Sequence, residues 1–138
     1  VKIITVSFDE KYAPEIKNIR SKVFTSEQNI DPNMDFDGQD HDAVHVLIRS
    51  DDKYVGTGRM LNDGHIGRLA VLKEYRGKGL GAEIIISLIK EARKNNLKRV
   101  YLGAQSHAIT FYEKLGFSKH GKAYIEVNIE HVNMEKII

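Results

Sequence analysis

One segment limits the fold more than any other. A strand-like stretch at His65–Val71 is followed by a glycine-rich turn, a long amphipathic helix and a second buried strand at Arg99–Ala104. Leu80, Ile84, Ile85, Leu88, Ile89 and Ala92 recur at three- and four-residue spacing, which predicts one apolar face along a helix over Leu80–Asn96. Arg93 and Lys94 near its end suit the negative pole of the helix dipole. A strand, a helix of this length and a strand form a crossover, so the two strands run parallel if they are adjacent.

The flanking chain fills in around this unit. Lys2–Phe8 is rich in β-branched and aromatic residues and predicts a strand. A helix over Ala13–Phe24 follows, with Pro14 in its first turn and Ile16, Ile19, Val23 and Phe24 on one face. Residues 27–42, with Pro32 and Gly38, predict a long loop with room for a short helical turn. Ala43–Ser50, Lys53–Leu61 and His65–Val71 are separated by Asp51-Asp52 and Asn62-Asp63-Gly64. Connections that short permit only an antiparallel meander. After the crossover come a short helix at Ser106–Leu115 with Gly116 as its C-cap, then two or three strands over Phe117–Ile138. The order β-α-β-β-β-α-β-α-β-β predicts a mixed sheet with helices, in the α/β or α+β class, as a single domain over residues 1–138.

Composition removes several function classes. The chain has 138 residues and no cysteine, so disulfides, thiolate metal sites and a cysteine nucleophile are excluded. No apolar run approaches the roughly 20 residues of a membrane span, and no basic-then-apolar leader pattern opens the chain. The expectation is a cytoplasmic protein with no membrane partner. The net charge of +2 hides an uneven distribution. From Glu27 to Ile48 there are six acidic residues and no Lys or Arg; from Lys73 to Arg99 there are eight basic residues against three acidic ones. The basic excess lacks the size and the interleaved aromatics of a nucleic-acid surface, so no nucleic acid is expected. Asp35-x-Asp37-Gly38 departs from calcium-loop order, with Val46 where the twelfth-position Glu would stand, and no metal is expected.

The glycine turn carries the strongest chemical signal. Arg76-Gly77-Lys78-Gly79-Leu80-Gly81 joins a strand to the start of the best helix. Small residues let a ligand approach the backbone, and the first helical turn offers unpaired N–H groups to an anion. Cations at that end are unfavourable for the bare helix, so Arg76 and Lys78 make sense beside a phosphate. The Walker pattern is absent. Gly77-x-Gly79-x-x-Ala82 fits a dinucleotide fingerprint only formally, because it follows a meander and no acidic residue stands about twenty positions on.

Three segments in the right order resemble the GNAT family of N-acetyltransferases. Arg76–Gly81 resembles the family's [QR]-x-x-G-x-[GA] motif, Leu69-Ala70-Val71 its acetyl-CoA-binding strand, and Ala108–Phe117 its A-x-x-F-Y-x-K-x-G-F segment. Glu27-Gln28, the spaced aspartates to Asp40, His45, Gly67-Arg68, Gly103-Ala104-Gln105 and Glu130–Met134 look like its small bacterial ElaA/YjcF-type branch.

The resemblance implies an acetyl-CoA-dependent enzyme acting by direct transfer to an amine, with a small molecule as acceptor. It puts the cofactor against Leu69, Ala70, Val71, Arg76, Gly77, Lys78, Gly79, Leu80, Gly81, Gln105, Ala108 and Phe111, and makes Tyr112 the general acid. Gln105 stands where many members carry Asn. A bulge near Leu69–Val71 would open the sheet for the pantetheine arm, with a backbone N–H near Val71 facing the thioester carbonyl. Glu27, Asp40, His45, Glu126 and His131 are candidate bases or acceptor contacts, and no local motif singles one out. The acidic loop suggests a cationic amine. A non-catalytic acyl-CoA-binding protein and a protein lysine or N-terminal acetyltransferase are the competing readings. The apolar strands near Tyr124–Val132 would also serve a homodimer.

Overall fold

The computed structural model describes all 138 residues. Strands β1 (Lys2–Val6), β2 (Val44–Ser50), β3 (Lys53–Met60) and β4 (Ile66–Val71) form an antiparallel sheet in that order. A second antiparallel sheet runs β5 (Arg99–Gln105), β7 (Ile129–Ile137), β6 (Ser118–Glu126). The helices are α1 (Ala13–Arg20), α2 (Pro32–Asp35), α3 (Leu80–Lys94) and α4 (Ile109–Lys114). None is long and apolar enough to cross a membrane.

The α/β class and the element order agree with the sequence reading; the sheet differs. Instead of one mixed sheet there are two, joined by a single parallel bridge between His65 and Tyr101. There the Tyr101 N–H donates to the Gly64 carbonyl at 3.1 Å, and the His65 and Tyr101 rings stack at 4.6 Å. Gly64 permits this approach: its φ is +96°, and a Cβ would strike the Arg99 carbonyl oxygen. Beyond this hinge β4 and β5 diverge. In β4, Arg68 and Leu69 oppose the single residue Gly58 of β3, a bulge, with Arg68 at φ +52°. It begins one residue before the stretch that the sequence suggested, and it leaves the outer edge of β4 unpaired.

Alternate residues of β3 serve different helices. Gly56 and Gly58 face Ile84 of α3, whereas Arg59 faces the other side, where Asp40 links it to Arg20 of α1. A core of 26 buried residues takes Val46, Leu47 and Ile48 from one sheet and Val100, Leu102 and Met134 from the other. The first helix does not end in the α form. It widens into a π-helical turn at Ser21–Glu27, where the Gln28 N–H donates to the Val23 carbonyl at 3.1 Å. That turn carries Phe24 and Gln28 into the lining of the gap between β4 and β5.

Candidate active site

The divergence of β4 and β5 opens a cavity of about 1040 Å³. Leu69, Ala70, Val71, Arg76, Gly77, Gly79, Leu80, Gly81, Gln105, Ala108, Phe111, Tyr112 and His131 all line it. Lys78 does not; its ammonium lies over the Tyr75 ring, 5.4 Å from the centroid. Glu27, Asp40 and His45 also lie outside the lining.

At one end the chain forms an open cradle. Gly77 and Gly79 have φ of +77° and +81°, and no atom lies within 4 Å of where their Cβ atoms would be. Gly79 caps α3 without any side-chain cap, so the first N–H groups of the helix lack side-chain partners. Gly81 has a second reason to be glycine: a Cβ there would come 3.3 Å from the Phe111 ring. The motif thus also lets α3 approach α4. Arg76 is already engaged. Its Nε donates to the Val71 carbonyl at 2.8 Å, and its two terminal nitrogens hold Glu27 at 2.6 and 2.8 Å. The hydrogen bonds and charge of Arg76 lower the Glu27 pKa.

In the middle lies Tyr112, packed edge-on against Phe111 and Phe117. Its hydroxyl has no protein partner, yet the residue lines the cavity. Burial pushes the phenol up to about 12, so it stays protonated and able to donate at any physiological pH.

The acidic stretch is neutralised from within, which corrects its reading as the site of a cationic substrate. Asp35 meets Arg20 at 3.0 Å and Arg68 at 3.2 Å; Asp40 meets Arg20 at 2.7 Å and Arg59 at 3.1 Å; Asp37 meets Arg59 at 2.9 Å. Arg20 has no accessible surface. Burial of Asp40 alone would raise its pKa, but the hydrogen bonds and charges of Arg20 and Arg59 outweigh this and lower it. Arg59 in turn holds Asp37 far below the usual carboxylate range. Arg68 completes the tie by donating to the Asp35 carbonyl at 3.0 Å from the β4 bulge. The network therefore fixes residues 34–40 as a wall against β4, with Met34 and Asp35 facing the cavity.

His45 belongs to this scaffold. Its Nε2–H donates to the Asp40 carbonyl at 2.9 Å and its Nδ1 is buried without a partner, while burial lowers the imidazole pKa. The ring stays neutral inside β2.

At the other end the wall is the face of the second sheet. Register places Tyr101, Gly103 and Gln105 of β5 beside His131 and Asn133 of β7, and His120, Tyr124 and Glu126 of β6 beyond. Gly103 leaves room for the Tyr124 hydroxyl, which donates to Asn133 Oδ1 at 2.9 Å. Within the lining, Gln28 and Gln105 exchange amide hydrogen bonds at 3.4 and 3.2 Å. The sequence reading passed over Tyr101, Tyr124, Asn133 and Gln28 as site residues. The two-residue alternation along β5 and β7 was the available signal.

The cleft thus runs along a free strand edge between the N-terminus of α3 and the buried Tyr112, and comparison with known proteins assigns the chain to the acyl-CoA N-acyltransferases. The family model for the acetyltransferase (GNAT) domain matches residues 11–138. YjcF of Bacillus subtilis, described as an uncharacterized N-acetyltransferase, is 30% identical over 135 residues, 95% of this chain and 96% of its own. The crystal structure of Escherichia coli ElaA superposes with a TM-score of 0.88 at 27% identity, covering 99% of both chains. An acyl-CoA N-acyltransferase from Pseudomonas aeruginosa gives a TM-score of 0.88 at 27% identity, covering 98% of each. The chain belongs to the GNAT acetyltransferase family, and it is an acyltransferase.

Proposed function

We propose that this enzyme transfers an acetyl group from acetyl-CoA directly to the amine of a small molecule, in the cytoplasm. The observation that carries the reading is the unpartnered Tyr112 hydroxyl inside a cavity whose far end is the open glycine cradle. Acetyl-CoA bound there supplies a thioester acyl group. The residues present suit it: Gly77, Gly79 and the N-terminus of α3 offer backbone N–H groups for phosphates. Arg76 is spent on Glu27 and Lys78 lies over Tyr75 outside the cavity, so the backbone is the main phosphate contact. The free edge of Leu69–Val71 offers strand-like pairing for an amide-bearing arm, and Ala108, Phe111 and Gln105 flank that path.

Each residue then has a physical task. A backbone N–H near Val71 at the unpaired edge polarises the acyl carbonyl. Tyr112 donates a hydrogen bond to the departing sulfur. Because burial raises its pKa so far, stabilisation by that bond outweighs full proton release. Holding donor and acceptor in one cleft supplies much of the rate. With no cysteine in the chain, no acyl-cysteine can form.

A small acceptor is favoured over a protein because Phe24, Gln28, Ile30 and Met34 wall the cavity and Gln28 is tied to Gln105 by two amide hydrogen bonds within that wall. The test is protein-dependent release of free CoA thiol from acetyl-CoA across a panel of small amines and a lysine peptide. Turnover with a small amine supports the reading. Turnover with the peptide alone, or acetyl-CoA binding with no turnover on any amine, would favour the protein-acceptor or the non-catalytic alternative.

A further inference from the structure

A protonated amine cannot attack a thioester, so an acetyltransferase for alkylamines needs a place to put a proton. Three cavity histidines besides His131 compete for this role: His65, His107 and His120. His65 is stacked on Tyr101 at the hinge, where the strands are closest. His107 and His120 accept and donate no side-chain hydrogen bond, so nothing fixes either ring.

His131 differs in four respects. It is 9% exposed and lies on the middle strand of its sheet, paired with Gln105 at the end of β5 on one side and Tyr124 of β6 on the other. Its Nδ1 lies 2.7 Å from the Ile129 carbonyl. A carbonyl only accepts, so Nδ1 carries the hydrogen in the neutral ring, and Nε2 keeps its lone pair. That Nε2 has no protein partner and is not sealed from solvent, in contrast to the orphaned Nδ1 of His45. The Tyr124 ring stacks on it at 5.6 Å and 17° and holds its plane, and Tyr124 is itself fixed through Asn133. The tautomer, the orientation and the free lone pair are all set before any ligand arrives.

The geometry points to His131 Nε2 as the base that takes the proton from the acceptor amine. The inference rests on the transferase reading above. In the step, an N–H bond of the ammonium breaks and the proton goes to Nε2. The freed nitrogen lone pair then forms the new bond to the acyl carbon as the carbon–sulfur bond breaks. The second amine proton passes to the departing thiolate, leaving the amide, free CoA thiol and a His131 imidazolium that returns its proton to solvent. Glu126, which lines the cavity, carries a carboxylate with no ion-pair partner, and it supplies the negative charge that draws the ammonium in.

Two measurements test this. Long-range proton–nitrogen NMR on the free wild-type protein should show His131 as the Nδ1–H tautomer; an Nε2–H tautomer would overturn the proposal. This readout needs no acceptor, so it stands even if acetyl-CoA fails to bind, a failure that would count against the transferase reading instead. The second compares His131→Gln with wild type on two acceptors from the panel, an alkylamine that is protonated at neutral pH and hydroxylamine, which is largely neutral. The expected loss in kcat is about 100-fold or more with the alkylamine and under about tenfold with hydroxylamine, with unchanged acetyl-CoA affinity. Added imidazole should partly restore His131→Ala. Equal losses with both amines, or no loss with either, would overturn the assignment.

Discussion

Arg20 and Asp35 form an ion pair at 3.0 Å in which neither side chain keeps more than 1% of its surface. The pair lies between the first helix and the loop that walls the cavity. Arg20 keeps Asp40 at 2.7 Å, but without Asp35 the buried network holds one cation more than its carboxylates balance, so Asp35→Asn should lower stability by about 3 kcal/mol, read from urea unfolding. Acetyl-CoA affinity should stay near wild type at a temperature where the variant is folded, because the glycine cradle is on another element. Loss of affinity in proportion to stability would show that the wall and the cradle are one unit.

The same network sets the acid limit of the fold. The pKa values of Asp37 and Asp40 are lowered in the folded chain relative to 3.8 for a free aspartate. A depressed carboxyl contributes stability above the unfolded pKa and loses it as pH falls through the folded one. The urea midpoint should therefore hold from neutral pH down to about 5, then fall steadily below about pH 4. Asp37→Asn should flatten that fall. A midpoint as steep in the variant as in the wild type would remove Asp37 from the account.

Tyr112→Phe removes one hydroxyl and leaves the Phe111 and Phe117 contacts in place. Turnover should fall about 100-fold or more while calorimetric affinity for acetyl-CoA is unchanged. Since the phenol sits at about 12, wild-type turnover should also show no loss from Tyr112 deprotonation up to about pH 10. Full activity in the phenylalanine variant would strike the residue from the mechanism.

Gly103→Ala should act on the acceptor and spare the cofactor. A Cβ there meets the Tyr124 hydroxyl, so the ring must leave its bond to Asn133. The expected result is a lower kcat/KM for the amine, because the displaced Tyr124 no longer holds the His131 ring, with acetyl-CoA affinity kept. The reverse pattern would place the acceptor elsewhere.

The crossover, the meander and the glycine turn were legible because each is local. Apolar spacing over Leu80–Asn96 and loops of two or three residues decide them without reference to distant chain. The neutralised acidic stretch was not legible. Its partners Arg20, Arg59 and Arg68 lie 15 to 33 residues from Asp35 and Asp40, on three separate elements. Only the fold brings them together. The β6–β7 turn was hidden for another reason: Val127 and Asn128 both take positive φ, at +47° and +63°, where a turn-forming pair such as Asn-Gly would have announced it. The two sheets followed from the bulge at Arg68, a residue type that seldom takes φ of +52° and so leaves no compositional trace.

The central claim is that the cleft between β4 and β5 brings the thioester to Tyr112. A crystal structure with CoA tests it most directly. Phosphates are expected on the N–H groups of residues 77–82, the pantetheine arm along the free edge of Leu69–Val71, and the sulfur within hydrogen-bonding distance of the Tyr112 hydroxyl on the side that faces His131. CoA bound outside the cleft, or a sulfur out of reach of Tyr112, would contradict it.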